Sequence, residues 1–163
     1  MIIDNINSCI YTCSMNTFAY DQHDSLGFMT ITVNRLLNAC LRRRMRDAGI
    51  DLTGEQWGVL VMLWNRGAMT QDGMAASACV DKSSMSRVLA LMEEKGLVDR
   101  RVDPANARRK IVRATRAAQA LQTDSLAVAR EVLERALSGI SAHDRAVCLN
   151  VLATVKENLR DSG

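Results

Sequence analysis

The chain is poor in several things, and each shortage excludes something. It has only six aromatic residues, nine glycines and one proline, Pro104, in 163 positions, which argues against a linker-rich or disordered protein. No stretch approaches the roughly 20 uninterrupted apolar residues of a membrane helix, so no membrane partner is expected. No Lys or Arg precedes Gln22, and the start "MIIDNINSCIYTC" therefore lacks the basic opening of a secretory signal. A cytoplasmic protein is expected. The two histidines, His23 and His143, lie far apart with no cysteine or acid at ligand spacing, although Asp144 adjoins the second. The glycines form no phosphate-cradling motif and no serine sits in a nucleophile elbow. These shortages lead us to expect no enzyme, no metal and no cofactor.

What is present is an ordinary globular composition, 48% apolar and 24% charged, in a chain long enough for one domain with its own core or for two small lobes sharing one. The net charge of +3 is unevenly spread. Between Asp81 and Arg116 ten Lys or Arg face five acids, giving +5, while the remainder sums to −2. A polyanion partner would leave such a footprint, and so would a merely solvated face; charge alone does not decide.

Hydrophobic spacing separates the elements. Leu26, Met29, Val33, Leu36, Leu37, Cys40, Leu41 and Met45 recur at three and four residues, and Gly49 stops this long helix. Thr53 and Gln56 stand in capping-box positions for a helix through Trp57, Leu60, Val61 and Trp64. Thr70 caps "TQDGMAASACV" and Asp81 caps "DKSSMSRVLALMEEKG", a pair joined by a short turn. The period then becomes two: "LVDRRV" and "KIVRAT", separated by the polar "DPANARR", read as a hairpin whose turn is set by Pro104. One long helix from Arg116 and another after Ser141 close the chain. The expected fold is mainly α with a small β-hairpin.

A helix-turn-helix followed by a two-stranded ribbon suits DNA, since a helix fits the major groove and a ribbon reaches the backbone or minor groove beside it. The exposed first turns of the second helix would carry Lys82, Ser83, Ser84, Ser86 and Arg87, with Val88, Leu89, Leu91 and Met92 turned to the core. "LTGEQWGVL", "DKSSMSRVLALMEEKGLVDR" and "DPANARRKIVRAT" resemble the motifs of the MarR family, winged helix-turn-helix regulators that usually act as cytosolic homodimers. The resemblance runs from about Leu26 to Leu159. It implies double-stranded DNA as partner, contacts from Lys82, Ser84, Ser86 and Arg87, and Arg108 in the minor groove from the wing tip. Arg109 and the other wing cations would flank phosphates. The family wing commonly has an acid where this chain has Asn106, and a leucine where it has Ala114; Asn106 is expected to accept from Arg108 in the acid's place.

Apolar positions beyond what one winged lobe can cover point to a homodimer: Leu121, Leu126, Val132, Leu133, Leu137 and Ile140, then Val147, Leu149, Leu152, Val155 and Leu159. The expected division is an N-terminal segment 1–25, a helical dimerisation region 26–50 and 116–163, and a winged DNA-binding lobe 51–115. Twofold symmetry implies a pseudo-palindromic site with half-sites roughly 34 Å apart. The resemblance further implies release by a small aromatic or phenolic effector, and most often repression. Trp57 and Trp64 could line an effector cleft, with core packing the plainer role.

Of the five cysteines, Cys40, Cys79 and Cys148 are expected to be buried in packing. Cys9 and Cys13, four apart, suggest an oxidant-sensing regulator as an alternative, but no basic residue nearby would activate a thiol. Met15 offers another start, which leaves 1–14 without an assigned role. Further alternatives are a cysteine-based peroxide-consuming protein, an architectural DNA-binding protein without effector, and a winged-helix module that binds proteins.

Overall fold

Six short polar side chains set where helices begin. Ser25, Thr53, Thr70, Asp81, Thr115 and Ser141 each accept from a backbone N–H three residues ahead, at 2.7–3.3 Å, satisfying donors that the first helical turn leaves unpaired. At Thr53 the capping box is complete, because the Gln56 side chain accepts in return from the Thr53 backbone N–H.

The computed structural model describes residues 25–160. Helices α1 (Leu26–Asp47) and α2 (Gly54–Arg66) lead to a short strand β1 (Met69–Thr70), then α3 (Gln71–Ala78) and α4 (Lys82–Glu94). Strands β2 (Val98–Asp103) and β3 (Asn106–Ala114) follow, and α5 (Arg116–Ala120), α6 (Gln122–Ala136) and α7 (Ala142–Arg160) complete the chain. The architecture is mainly helical with a small antiparallel sheet, as expected from the sequence, and three details differ. The sheet has three strands in the order β1-β3-β2, because Met69 pairs with Val112 and Thr70 with Ile111; two residues are too few for a period-two signal. Strand β3 starts at Asn106, not near Lys110, so most of the polar stretch belongs to a strand. The long helix from Arg116 breaks at Leu121, which ends α5 and begins α6 without a side-chain cap.

The core joins α1 to the winged part. Met45, Leu60, Met74, Leu89, Met92 and Val112 are fully buried, so one residue each from α1, α2, α3 and β3 and two from α4 share a single apolar cluster. Gly96, at φ +68°, makes the tight turn that brings β2 back along α4. Helix α6 lies against α1 and contributes Ala129 and Val132 to the same cluster. Trp57 and Trp64 pack against it, half-buried. Among residues expected to await a partner, Val132 is instead buried within its own chain and Leu121 packs on the core. Leu126, Leu133, Ile140, Val147, Leu149, Leu152 and Leu159 remain exposed, and α7 buries no residue.

Leu91 corrects the sequence reading. It is 51% exposed, whereas Met85, not assigned to the core beforehand, is 3% exposed. The buried set Met85, Leu89 and Met92 follows a four-then-three spacing that turns Leu91 outward. Leu89→Ala is expected to lower stability by about 2–5 kcal/mol through a cavity, and Leu91→Ala by roughly 0.5 kcal/mol or less. Urea unfolding of both variants checks this; equal losses would contradict the orientation of α4.

Candidate nucleic-acid interface

Helices α3 and α4 form the helix-turn-helix, with Cys79, Val80 and Asp81 as the turn. Cys79 takes the left-handed conformation at φ 52° that lets α3 stop and α4 leave at an angle. Burial of one face of α4 fixes what the other presents. Ser83, Arg87 and Leu91, four residues apart, are exposed on the outer side together with Lys82, while Ser84 and Ser86 are half-buried. The Lys82 ammonium is 2.9 Å from the Asp72 carboxylate on α3. Arg87 has no hydrogen bond or salt bridge with the described residues.

Asp81 does more than cap. Its Oδ1 accepts from the Ser84 backbone N–H at 2.7 Å and from the Ser83 hydroxyl at 2.5 Å, and its Oδ2 accepts from the Ser84 hydroxyl at 2.7 Å. The Ser83 hydroxyl bond first, then the two Ser84 bonds, hold this carboxyl far below the usual carboxylate range. The serines expected to approach DNA therefore already share a partner.

The wing is built from two local side-chain turns and a bulge. Asp103 Oδ1 accepts from the Ala105 N–H at 2.9 Å, and Asn106 Oδ1 from the Arg108 N–H at 3.0 Å. Asn106 thus accepts from the Arg108 backbone, not from its guanidinium as the sequence suggested, since the amide is only two residues away and already aligned with the main chain. Val102 pairs with Lys110, but Asp103 pairs with Asn106, leaving Ala107, Arg108 and Arg109 unmatched across the ribbon. Such a bulge redirects side chains. Arg108 stands in this bulge, beyond the Pro104–Ala105 turn, and with Arg109, Lys110, Thr70, Gln71 and Asp72 lines a cleft of about 160 Å³.

The five basic residues around Pro104 separate into two kinds. Arg100, with its side chain 14% exposed, donates from Nε at 2.9 Å and from Nη2 at 2.5 Å to Glu93 Oε2, and its backbone N–H reaches Glu93 Oε1. Arg101 pairs with Asp99 at 2.6 Å. These two hold the wing to itself and to α4, so the expectation that every wing cation flanks phosphate does not extend to them. Arg108, Arg109 and Lys110 make no side-chain hydrogen bond or salt bridge with the described residues. The Glu93–Arg100 clamp was not foreseen; the only sequence signal is an acid late in a helix and an arginine in the strand that turns back along it.

The sequence model of the MarR family matches residues 52–110. The winged part of the chain is thus MarR-like. An HTH-type transcriptional regulator of Mycobacterium leprae (strain TN) is 28% identical over 134 residues, covering 82% of this chain and 92% of that protein. Among solved structures, a probable transcriptional regulator from Pseudomonas aeruginosa is 27% identical with a TM-score of 0.72, covering 83% of this chain and 99% of that one. Bordetella bronchiseptica BpsR, whose DNA binding is regulated by 6-hydroxynicotinic acid, shares the fold at 20% identity and TM-score 0.74, over 84% of this chain and 96% of that one. Together these likenesses support a DNA-binding transcription regulator with a winged helix.

The remaining candidates find plainer places. Cys40 is half-buried, but Cys79 and Cys148 are exposed, against the expectation of buried packing: Cys79 occupies the turn, where Arg160 Nη2 donates to its Sγ at 3.6 Å, and Cys148 lies on α7, which has nothing packed over it. Asp144, beside His143, accepts from the Ser141 hydroxyl at the start of α7. Cys9, Cys13 and His23 lie outside the described residues. No helix among the described residues is long and apolar enough to cross a membrane.

The Arg100 side-chain hydrogen bond is the main cause that lowers the Glu93 pKa; desolvation opposes it and the Arg100 charge adds to it. A carboxyl lowered on folding contributes stability that is fully present above the ordinary carboxylate range and is lost as pH falls through its lowered value. Glu93→Gln is therefore expected to be less stable than wild type at neutral pH, with the two converging in acid. Urea midpoints measured from pH 7 downward check this; a difference that persists unchanged in acid would contradict the clamp.

Proposed function

We propose that this regulator binds a pseudo-palindromic operator as a homodimer, acts as a repressor, and is released by a small aromatic acid. The observation that carries the reading is that Arg87 on the outer face of α4 and Arg108, Arg109 and Lys110 on the wing make no salt bridge with the described residues, while Lys82, Arg100 and Arg101 are tied to carboxylates. Arginines without internal partners are free to donate to a guanine edge or to line a minor groove. Lys82, Ser83, Ser84, Ser86, Arg87, Arg108 and Arg109 form the proposed DNA-binding set, with Lys82 exchanging Asp72 for phosphate on binding.

The proposed division is a winged lobe at 51–115 and a dimerisation region at 26–50 and 116–163, preceded by the segment 1–25. Support for the dimer is the apolar surface left open on α1, α6 and α7: Leu36 is 66% exposed, Leu149 57% and Leu159 72%. A patch of this kind on several elements marks an interaction surface. Support for the effector is an open groove of about 510 Å³ between α1 and α6, in which Val33, Leu36, Leu37 and Val132 provide apolar walls and Arg43 and Arg135 two cations. That combination suits an aromatic ring bearing a carboxylate, the chemistry of the acid that regulates BpsR. A ligand that favours a head spacing unsuited to the operator lowers DNA affinity by its differential binding to the two states.

Selection of bound sequences from random DNA, repeated with aromatic acids, tests the whole reading. The expected outcome is an enriched inverted repeat whose occupancy falls with one of the acids. Steep salt dependence with no enriched sequence would favour an architectural role instead. Arg108→Ala should weaken binding to the selected site about tenfold or more, and a negligible effect would remove the wing from the reading surface. Light scattering that finds a monomer at micromolar concentration would contradict the dimer.

A further inference from the structure

The hydroxyls at the start of α4 carry information that their residue type alone does not. A serine hydroxyl has one proton and two lone pairs. In Ser83 and Ser84 that proton is directed at Asp81, at 2.5 Å and 2.7 Å respectively, and an ionised carboxylate can only accept. What remains on the outer side of each oxygen is a lone pair. Phosphate oxygens also only accept, so neither serine can donate to one while Asp81 holds its proton. In the major groove, cytosine N4 and adenine N6 present donors, whereas guanine O6 and N7 and thymine O4 present acceptors.

We infer that Asp81 fixes the Ser83 and Ser84 hydroxyls as hydrogen-bond acceptors, so that the start of α4 selects bases with an exocyclic amine, cytosine or adenine, on the contacted strand. This inference rests on the reading of α4 as the DNA-reading helix. Asp81 is a positioning residue here, and Ser83 and Ser84 determine specificity. Successive turns of α4 then divide the labour: the serines read amines, and Arg87, one turn on from Ser83, supplies donors for guanine.

The arrangement makes a sharp test available through Asp81→Asn, because asparagine caps helices about as well as aspartate. The Ser84 backbone N–H and the Ser83 hydroxyl require an acceptor at the Oδ1 position, which the amide oxygen keeps. The amide nitrogen then replaces Oδ2 and faces the Ser84 hydroxyl. Ser84 must accept from it and turns its own proton outward, becoming a donor, while Ser83 is unchanged.

The experiment is sequence selection from random double-stranded DNA with the full chain as wild type, Asp81→Asn and Ser84→Ala. Wild type is expected to prefer adenine or cytosine over guanine or thymine by roughly tenfold at one position of each half-site, the scale of one well-made hydrogen bond to a base. Ser84→Ala should erase that preference, and Asp81→Asn should invert it towards guanine or thymine at the same position. Identical profiles for wild type and Asp81→Asn would overturn the inference, as would a wild-type profile left unchanged by Ser84→Ala; the second comparison stands even if Asp81→Asn fails to fold. A wild type that enriches no sequence would remove the DNA-reading role itself, a different failure from losing the amine preference within an enriched site.

Discussion

Burial of Met85, Leu89 and Met92 fixes the rotation of α4 about its own axis, and the outer surface of the helix follows from it. These three side chains lie in the cluster that also holds Met45 of α1 and Val112 of β3. A core packed at crystal-like density does not let such a helix roll by one residue. Ser83, Arg87 and Leu91 are therefore presented together, and the Arg100 fork on Glu93 ties the far end of the same helix to the wing strand. Both the shared core and the Glu93–Arg100 ion pair join α4 to the wing strand.

The distribution of charge follows the same economy. Cations with structural roles, Arg100 and Arg101, are matched by Glu93 and Asp99, and Lys82 is held by Asp72. Arg87, Arg108 and Arg109 have no such partner among the described residues. Within the proposed function, the paired cations set geometry and the unpaired ones await the polyanion. The bulge at Ala107–Arg109 lets the wing hold two arginines outside the ladder without disturbing the register from Val98 to Val102. In the proposed dimer, the apolar faces of α1, α6 and α7 would receive the second copy, and the α1–α6 groove would hold the proposed ligand.

Much of this was legible in the residues. The caps Thr53, Thr70, Asp81 and Ser141 each stand where local chemistry requires them, and the change from helical to strand spacing after Gly96 marks the wing. What was not legible depends on partners distant in sequence or on the choice among equivalent local bonds. Strand β1 exists only because β3 passes beside Met69 and Thr70. Leu91 reads as a core leucine until the neighbouring elements claim Met85 instead. The fate of Asn106 turned on whether its amide meets the Arg108 backbone or guanidinium, and spacing cannot separate these. Cys79 reads as one more small residue among alanines until the left-handed turn puts it at the surface. The hold of Asp81 on both serines was latent in "DKSS", since a capping aspartate has a second oxygen to fill, but which hydroxyl would fill it is a matter of rotamers.

The central claim is that one lobe reads two grooves, the major groove from the Ser83–Arg87 side of α4 and the minor groove from Arg108 on the bulge. Methylation interference on the selected site tests it most directly, because methylation at guanine N7 blocks the major groove and at adenine N3 the minor groove. The account expects N7 methylation to prevent binding at two places about one helical turn apart and N3 methylation to prevent it beside each. Interference confined to one groove, or none in either, would contradict it.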